Sequence, residues 1–179
     1  MDLSEVELAE IDPAALRIVT WPDPALMRRA APVAEPDVPA AGRIAARMIE
    51  LMHEASGVGL AAPQVGLSVR LFVANWSQEP GDDHVFINPT LRDPSRKSES
   101  AEEGCLSLPE LRIEVRRPAG IEIEALDAAG RSVTLQSDGF AARVWQHEFD
   151  HLDGVLITDR MGAVDRLANR SALRALGMA

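Results

Sequence analysis

The residues with the clearest chemical potential form one HExxH pattern, with His147, Glu148 and His151 at its defining positions. On a helix, positions i and i+4 lie on the same face, so two imidazoles could bind one metal ion with the glutamate close to a bound water. The alternative is a polar surface turn that has this pattern by chance. Trp145 and Leu152 flank the pattern with apolar side chains, and unliganded histidines are costly on a mostly buried helix. The pattern therefore favours a metal site.

A catalytic metal site of this kind needs a third protein ligand and an open position for water. No glutamate follows Glu148, and the position where one extended form of the motif has a third histidine is occupied by Ile157. Asp159 and Asp165 remain candidates. The only cysteine, Cys105, lies beside a glycine in what the sequence predicts to be a polar loop, and it completes a Cys–His–His set most economically. A lone cysteine is more often an inert, small apolar residue, so these alternatives stay open.

Residues 57–66, GVGLAAPQVG, form a glycine-rich segment with two interpretations. Phosphate binding is disfavoured, because no Gly-Lys-Ser/Thr follows and Pro63 lacks an amide donor. A flexible turn between a helix and a strand would leave Gln64 as a surface amide. Taken alone, the segment is a weak signal and favours the turn.

The elements that must position these residues are short strands followed by a late, long helix, which indicates an α+β fold with small antiparallel or mixed sheets around a central HExxH helix. The long helix that carries the HExxH pattern is predicted to begin at a cap on Asp138 and to end near Gly154. The predicted helices span 40–54, 138–153 and 164–176, and the predicted strands span 69–75, 84–91, 121–126 and 133–135.

Length and composition predict one domain over residues 1–179, with residues 1–16 as a loose acidic arm. The chain has 28 acidic and 18 basic residues, a net charge of −10, which disfavours DNA binding. The sequence has no run of eighteen apolar residues, so it predicts no membrane span. Its first twenty residues lack the apolar core of a secretion signal. A single cysteine fits a reducing compartment, so we expect a cytoplasmic protein.

Three segments together resemble the motifs of the peptide deformylase family: GVGLAAPQVG at 57–66, EEGCLSLP at 102–109 and QHEFDHLDG at 146–154. They occur in the family's order and at similar separations, and the resemblance covers residues 17–160. It implies a bacterial metal-dependent hydrolase that removes the N-formyl group from the N-terminal methionine of newly made polypeptides and releases formate.

The resemblance also implies a role for each motif residue. Cys105, His147 and His151 would hold one divalent ion, with Fe²⁺ expected and Zn²⁺, Ni²⁺ or Co²⁺ able to replace it. Glu148 would move the proton of the attacking water. The Gln64 side-chain amide and the Leu106 backbone N–H would donate hydrogen bonds to the developing oxyanion.

Substrate contacts follow from the same resemblance. Val58, Leu106, Phe140 and the helix face over 140–147 would line an apolar pocket for the methionine side chain. Gly59 would expose backbone with which an extended peptide pairs as a strand, and Arg112 would meet the peptide further along.

Three arginines near the end, Arg166, Arg170 and Arg174, would share one face of the predicted 164–176 helix. The resemblance suggests a transient contact with ribosomal RNA phosphate, and the alternative is a solvated helix face. Glu103 and Arg117 would likewise be either a pair that steadies the cysteine loop or an ordinary surface salt bridge.

Two alternatives to the deformylase activity remain at this point. One is a different HExxH metallohydrolase with Asp159 or Asp165 as the third ligand. The other is a degenerate family member that binds metal or a chain end without catalysis, against which intact Glu148, Gln64 and Cys105 argue.

Overall fold

The computed structural model describes residues 7–178, apart from the side chain of residue 36. Two longer helices, α1 (Val38–Glu54) and α2 (Phe140–Leu152), are followed near the end by the short helices α3 (Ala163–Ala168) and α4 (Arg170–Ala175). The strands are β1 (Gly59–Ala61), β2 (Leu71–Ala74), β3 (His84–Arg92), β4 (Ser98–Cys105), β5 (Leu108–Pro118), β6 (Ile121–Leu126) and β7 (Ser132–Ser137).

Five strands form one antiparallel sheet in the order β1-β2-β3-β6-β7. Strand β2 is buried on both faces, because side chains alternate along a strand and each face of this sheet carries a helix. Leu71 and Val73 join the core built on α1, whereas Phe72 and Ala74 join the core that contains α2. Burial on both sides explains the uninterrupted apolar run in the sequence.

The prediction for 40–54 is confirmed, with α1 beginning two residues earlier. Its apolar stripe is buried at Ile44, Met48, Leu51 and Met52. The 84–91 strand and the 121–126 hairpin are also confirmed. The predicted 69–75 strand is shorter and begins at Leu71. The Arg70 N–H donates to the carbonyl of Ala31, which lies outside the named strands, and the Arg70 carbonyl accepts the N–H of Asn88 on β3.

Strands β4 and β5 form a separate two-stranded sheet, which we call the cysteine hairpin (residues 98–118). The prediction that Cys105 lies in a polar loop is therefore wrong: it ends β4 and pairs with Leu108 across a two-residue turn. Strand β4 was not predicted, because its buried positions are Glu103 and Cys105, which do not form an apolar pattern. The alternation of Leu111, Ile113 and Val115 with polar residues would have revealed β5.

Helix α2 contacts β1 and β2 of the large sheet and β5 of the cysteine hairpin, so it lies between the two sheets. This arrangement confirms the α+β class. The predicted cap at Asp138 is wrong: the N-cap is Gly139, whose N–H donates to Ser137 Oγ at the end of β7. The predicted end is confirmed, because Gly154 has a φ of 72° and its N–H donates to His151 O.

The predicted single helix over 164–176 is wrong, because the chain breaks at Asn169 into α3 and α4. The Asn169 side chain donates to the backbone carbonyls of Asp165 and Arg112 and thereby ties the break to β5. Leu173 on α4 packs into the core beneath the cysteine hairpin, where it is 1% exposed.

Of the arm predicted over 1–16, the structure describes residues 7–16, and residues 1–6 lie outside the described part of the chain. Two single 3-10 turns, Leu8–Glu10 and Pro13–Ala15, lie here. Leu8 is buried against the α1 core. Within residues 7–178, no helix has the length and apolar character required to cross a bilayer.

Candidate metal centre

Helix α2 and the cysteine hairpin bring together three side chains that could ligate a metal ion. His147 and His151 are one turn apart on α2, and Cys105 approaches from the end of β4. One ligand atom from each residue lies within 4.8 Å of the other two. Asp159, which the sequence left as a candidate ligand, instead accepts the N–H of Leu156 at 2.8 Å. Neither it nor Asp165 belongs to this group of donors.

The donor atoms fit a transition-metal ion. Ligands about 2.0–2.3 Å from a tetrahedral ion lie about 3.5 Å from one another, and Cys105 Sγ is 3.3 Å from His151 Nε2. His147 Nδ1 donates to Glu103 Oε2 at 2.9 Å, which leaves Nε2 as its free nitrogen. Burial lowers the pKa of His151 well below its ordinary value, so its imidazole is neutral and can offer a lone pair.

Glu148 lies on the same helix between the two histidines and is only 4% exposed. Its Oε2 atom has no hydrogen-bond partner among residues 7–178. Burial, supported by the nearby charge of Glu103, raises the pKa of the Glu148 carboxyl to about 7 despite the opposing effect of His147. A carboxyl group in this state can accept and return a proton near neutral pH.

Gln64 is held by the short 3-10 turn Ala62–Val65 that follows β1, and it is 1% exposed. Its Oε1 accepts the N–H of Ala61 at 2.9 Å, which orients the amide so that Nε2 faces the centre. That nitrogen lies 3.5 Å from Cys105 Sγ and 3.3 Å from Ser107 Oγ. The surface-amide interpretation of Gln64 is therefore wrong, and the segment is neither a flexible turn nor a phosphate loop.

Glu103 and Arg117 form a buried ion pair, so the surface salt-bridge alternative is wrong. Arg117 donates to both carboxylate oxygens at 2.7 and 2.9 Å, and its side chain is 3% exposed. Burial raises the pKa of Glu103, but hydrogen bonds from Arg117 and His147 outweigh it and hold the pKa well below its usual range. The carboxylate is thus charged and orients His147.

Three further charged residues join this pair and were missed from the sequence. Arg143 donates to Glu103 at 2.6 Å, and Arg117 donates to Asp150 at 2.8 Å. Arg160 forms a two-point pair with Asp150. A charged Asp150 within a buried helix and an Arg143 one turn before His147 were the available signals, because buried charges require partners.

A cavity of about 480 Å³ opens onto Glu148, Cys105 and His147. Every residue that the sequence proposed for substrate contact lines it: Val58, Gly59, Leu106, Phe140 and Arg112. Phe140 is 53% exposed at one end, and Val144 adds a buried apolar wall. Gly59 also lies directly against Glu148, since a Cβ built at position 59 would lie 2.3 Å from Glu148 Oε1.

Known proteins are similar to this chain in sequence and in fold. The sequence pattern of the polypeptide deformylase family matches residues 15–167. The peptide deformylase of Thermotoga neapolitana is 45% identical over 157 residues, which cover 88% of this chain and 93% of that protein. The peptide deformylase of Brucella suis is 39% identical over 151 residues, covering 83% and 86%.

Solved structures agree. The crystal structure of the Thermotoga maritima peptide deformylase has a TM-score of 0.77 at 44% identity and covers 82% of this chain and 97% of that one. The Thermus thermophilus peptide deformylase structure has a TM-score of 0.81 at 42% identity, covering 90% and 97%.

Proposed function

The chain belongs to the peptide deformylase family, metal-dependent hydrolases that remove the N-formyl group from nascent polypeptides, and we propose how its own residues perform this hydrolysis. The observation that carries the proposal is the convergence of one thiol and two imidazoles beside a buried carboxyl group, at the end of a partly apolar cavity. Cys105, His147 and His151 hold the ion, and Glu148, Gln64 and Leu106 act on the reacting atoms.

The donor set indicates the class of ion. One thiolate and two imidazoles suit Fe²⁺, Zn²⁺, Ni²⁺ and Co²⁺, whereas Mg²⁺ and Ca²⁺ prefer oxygen ligands. We propose Fe²⁺ as the resident ion, from the resemblance of the three motifs to those of the family. When bound, the ion supplies the Lewis acidity that makes water a nucleophile near neutral pH.

Glu148 is the proton carrier of the proposed reaction. Its carboxylate takes a proton from the water that attacks the formyl carbon, and it later gives a proton to the leaving amine. The absence of a partner for Oε2 among the described residues and the raised pKa support this role. Formate and a free methionine amino group are the products.

Gln64 and Leu106 stabilise the negative charge that develops on the formyl oxygen. The Gln64 amide is aimed by its bond from Ala61, so its donor needs no reorganisation when charge appears. Leu106 is in the two-residue turn directly after Cys105 and lines the same cavity. Its backbone N–H is the second proposed donor.

The methionine side chain of the substrate enters the apolar part of the cavity, beside Val58, Val144 and Phe140. Strand β1 is an edge of the five-stranded sheet, so the backbone around Gly59 can pair with an extended peptide. Arg112 lines the same cavity and would meet the peptide beyond methionine.

Formate release tests the proposed function. A formyl-methionyl tripeptide is incubated with the protein loaded with Ni²⁺ or Co²⁺, with the chelated protein, and with the chelated protein after metal is restored. We expect hydrolysis that chelation abolishes and metal restores, and little activity on the acetyl-methionyl peptide. A metal-loaded protein that binds the formyl peptide without releasing formate would identify a degenerate, non-catalytic member.

We also propose a transient contact with the ribosome in the cytoplasm, where formylated chains are made. Arg166, Arg170 and Arg174 are exposed and would approach RNA phosphate, although they do not share one continuous helix.

A further inference from the structure

We propose that Arg143 is a positioning residue that holds the cysteine hairpin against α2 and so sets the distance between the Cys105 thiolate and the His147 imidazole. This inference rests on the proposed ligand set. It concerns a residue that does not contact the ion.

The ligand set is divided between two separate elements. His147 and His151 belong to α2, which packs on the five-stranded sheet, whereas Cys105 belongs to the cysteine hairpin. No strand pairing joins the hairpin to the large sheet within residues 7–178. Side-chain contacts between α2 and the cysteine hairpin must therefore fix where the sulfur lies relative to the histidines.

Arg143 donates three hydrogen bonds to the hairpin, two of them to neutral backbone carbonyls. One guanidinium nitrogen donates to Glu103 Oε1 at 2.6 Å and to the carbonyl of Val115 on β5 at 2.9 Å. The other terminal nitrogen donates to the carbonyl of Glu99 on β4 at 2.7 Å. A planar guanidinium can make these bonds together, whereas an ammonium group is a compact point charge. Arg143 thus ties α2 to both strands of the hairpin.

The bonds to Glu103 divide its carboxylate between two tasks. Arg143 and the Arg117 Nε atom both donate to Oε1, while Oε2 receives the His147 Nδ1 proton and a second bond from Arg117. The two-point bond from Arg117 sets the plane of the carboxylate, and Arg143 adds a third donor that ties its Oε1 atom to α2, so Oε2 faces the imidazole. Arg143 is one turn before His147 on α2, and the same carboxylate therefore binds two successive positions of one helix face.

Burial makes the loss of these hydrogen bonds costly. The Arg143 side chain is 14% exposed and the Glu103 side chain 6% exposed, so water cannot readily replace a lost donor. Because Arg117 would remain, removal of the Arg143 guanidinium leaves Glu103 paired. We therefore expect the protein to fold but the cysteine hairpin to be held less firmly against α2. The measurable result would be weaker retention of the metal.

The test uses the full-length protein loaded with Co²⁺, whose absorption reports both the thiolate ligand and the geometry around the ion. Arg143→Met keeps an unbranched stem but removes every donor, and Arg143→Lys keeps the charge without the planar group. Arg116→Met is the matched control, because Arg116 is an exposed arginine on β5. Metal release to a chelator, the absorption spectrum and the melting temperature of the metal-free protein are measured for each.

We expect Arg143→Met to release Co²⁺ about 10–100-fold faster than the unmodified protein, as is typical when a partner of a ligand is lost. Its cobalt bands should shift, and Arg143→Lys should be intermediate. If Arg143→Met does not fold, Arg143→Lys alone decides, by the same two measurements. Unchanged release and spectra in the Arg143 variants, or an equal effect in Arg116→Met, would overturn the proposal.

The two levels of inference fail differently. If the unmodified protein binds Co²⁺ without a sulfur-to-cobalt absorption band, the assignment of Cys105 as a ligand fails, and with it the proposed site. If the band is present but insensitive to Arg143, only the positioning role fails.

Discussion

The backbone of Gly59 on β1 lies directly against the carboxylate of Glu148 on α2. A methyl group at position 59 would come within 2.3 Å of Oε1 and 2.8 Å of the carboxyl carbon. Glycine is thus required here for a close approach, in addition to exposing the backbone of an edge strand. The strand that would receive the peptide and the carboxylate that would move the proton are in contact.

This contact predicts that Gly59→Ala lowers kcat, because the added methyl group displaces the Glu148 carboxylate from its working position. A misplacement of about 1 Å can cost about 10²-fold in rate. Steady-state kinetics on a formyl-methionyl peptide measure the effect, with metal content determined on the same sample. Gly162→Ala is the matched control, because a Cβ there meets its nearest neighbour at an ordinary 3.6 Å. Normal turnover by Gly59→Ala would show that Glu148 has freedom to move.

Glu148→Gln should retain the metal and lose most of the turnover. Glutamine keeps the shape of the side chain but cannot carry a proton between water and the leaving amine, a contribution of about 10²–10⁴-fold. Metal analysis and formate release on the same preparation separate the two properties. A variant that loses its metal as well would indicate that Glu148 contributes to binding the ion.

Gln64→Ala should lower kcat by about 10²–10³-fold without loss of metal, because one donor to the developing oxyanion disappears. Ser107→Ala is the informative comparison. It removes the hydroxyl 3.3 Å from Gln64 Nε2 but leaves the Ala61 bond that aims the amide, so its effect should be smaller. Equal losses in both variants would argue that Gln64 acts by packing.

Cys105→Ser should lose tight metal binding, because a thiolate ligand is replaced by a hydroxyl that ionises far less readily. The measurement is the metal content of the protein after gel filtration in a buffer that contains a weak chelator. The unmodified protein loaded with Fe²⁺ should also lose activity in air through oxidation of the ion or the sulfur, whereas the Ni²⁺ form should be more durable. Full metal content in Cys105→Ser would exclude the sulfur from the ligand set.

Charge reversal at Arg166, Arg170 and Arg174 to glutamate should weaken co-sedimentation with ribosomes at low salt and leave hydrolysis of a small formyl peptide unchanged. The residual binding should also depend less steeply on salt, because fewer cations meet RNA phosphate. Leu173→Ala serves as a contrast, since it perturbs the packing of the same segment without changing its charge. Ribosome binding that is indifferent to the reversal would leave only a solvated surface.

The sequence by itself determined the features that depend on residues close together in the chain. The spacing of His147 and His151 specifies two imidazoles on one helix face, and the apolar stripe from Ile44 to Met52 specifies α1. Gly154 indicated the end of α2 for a different local reason, because glycine readily adopts the left-handed conformation that ends a helix. These inferences succeed because helical geometry relates i to i+4 whatever surrounds the helix.

Only the tertiary structure decided the contacts that close the site. Glu103, Arg117 and Arg143 are up to 40 residues apart, and the bond between Arg143 and Glu103 depends on how the hairpin docks on α2. The break at Asn169 is similar, because its side chain bonds to Arg112 on a strand 57 residues earlier. Such contacts have no local periodicity, since they depend on the path of the chain and on the need of each buried polar group for a partner.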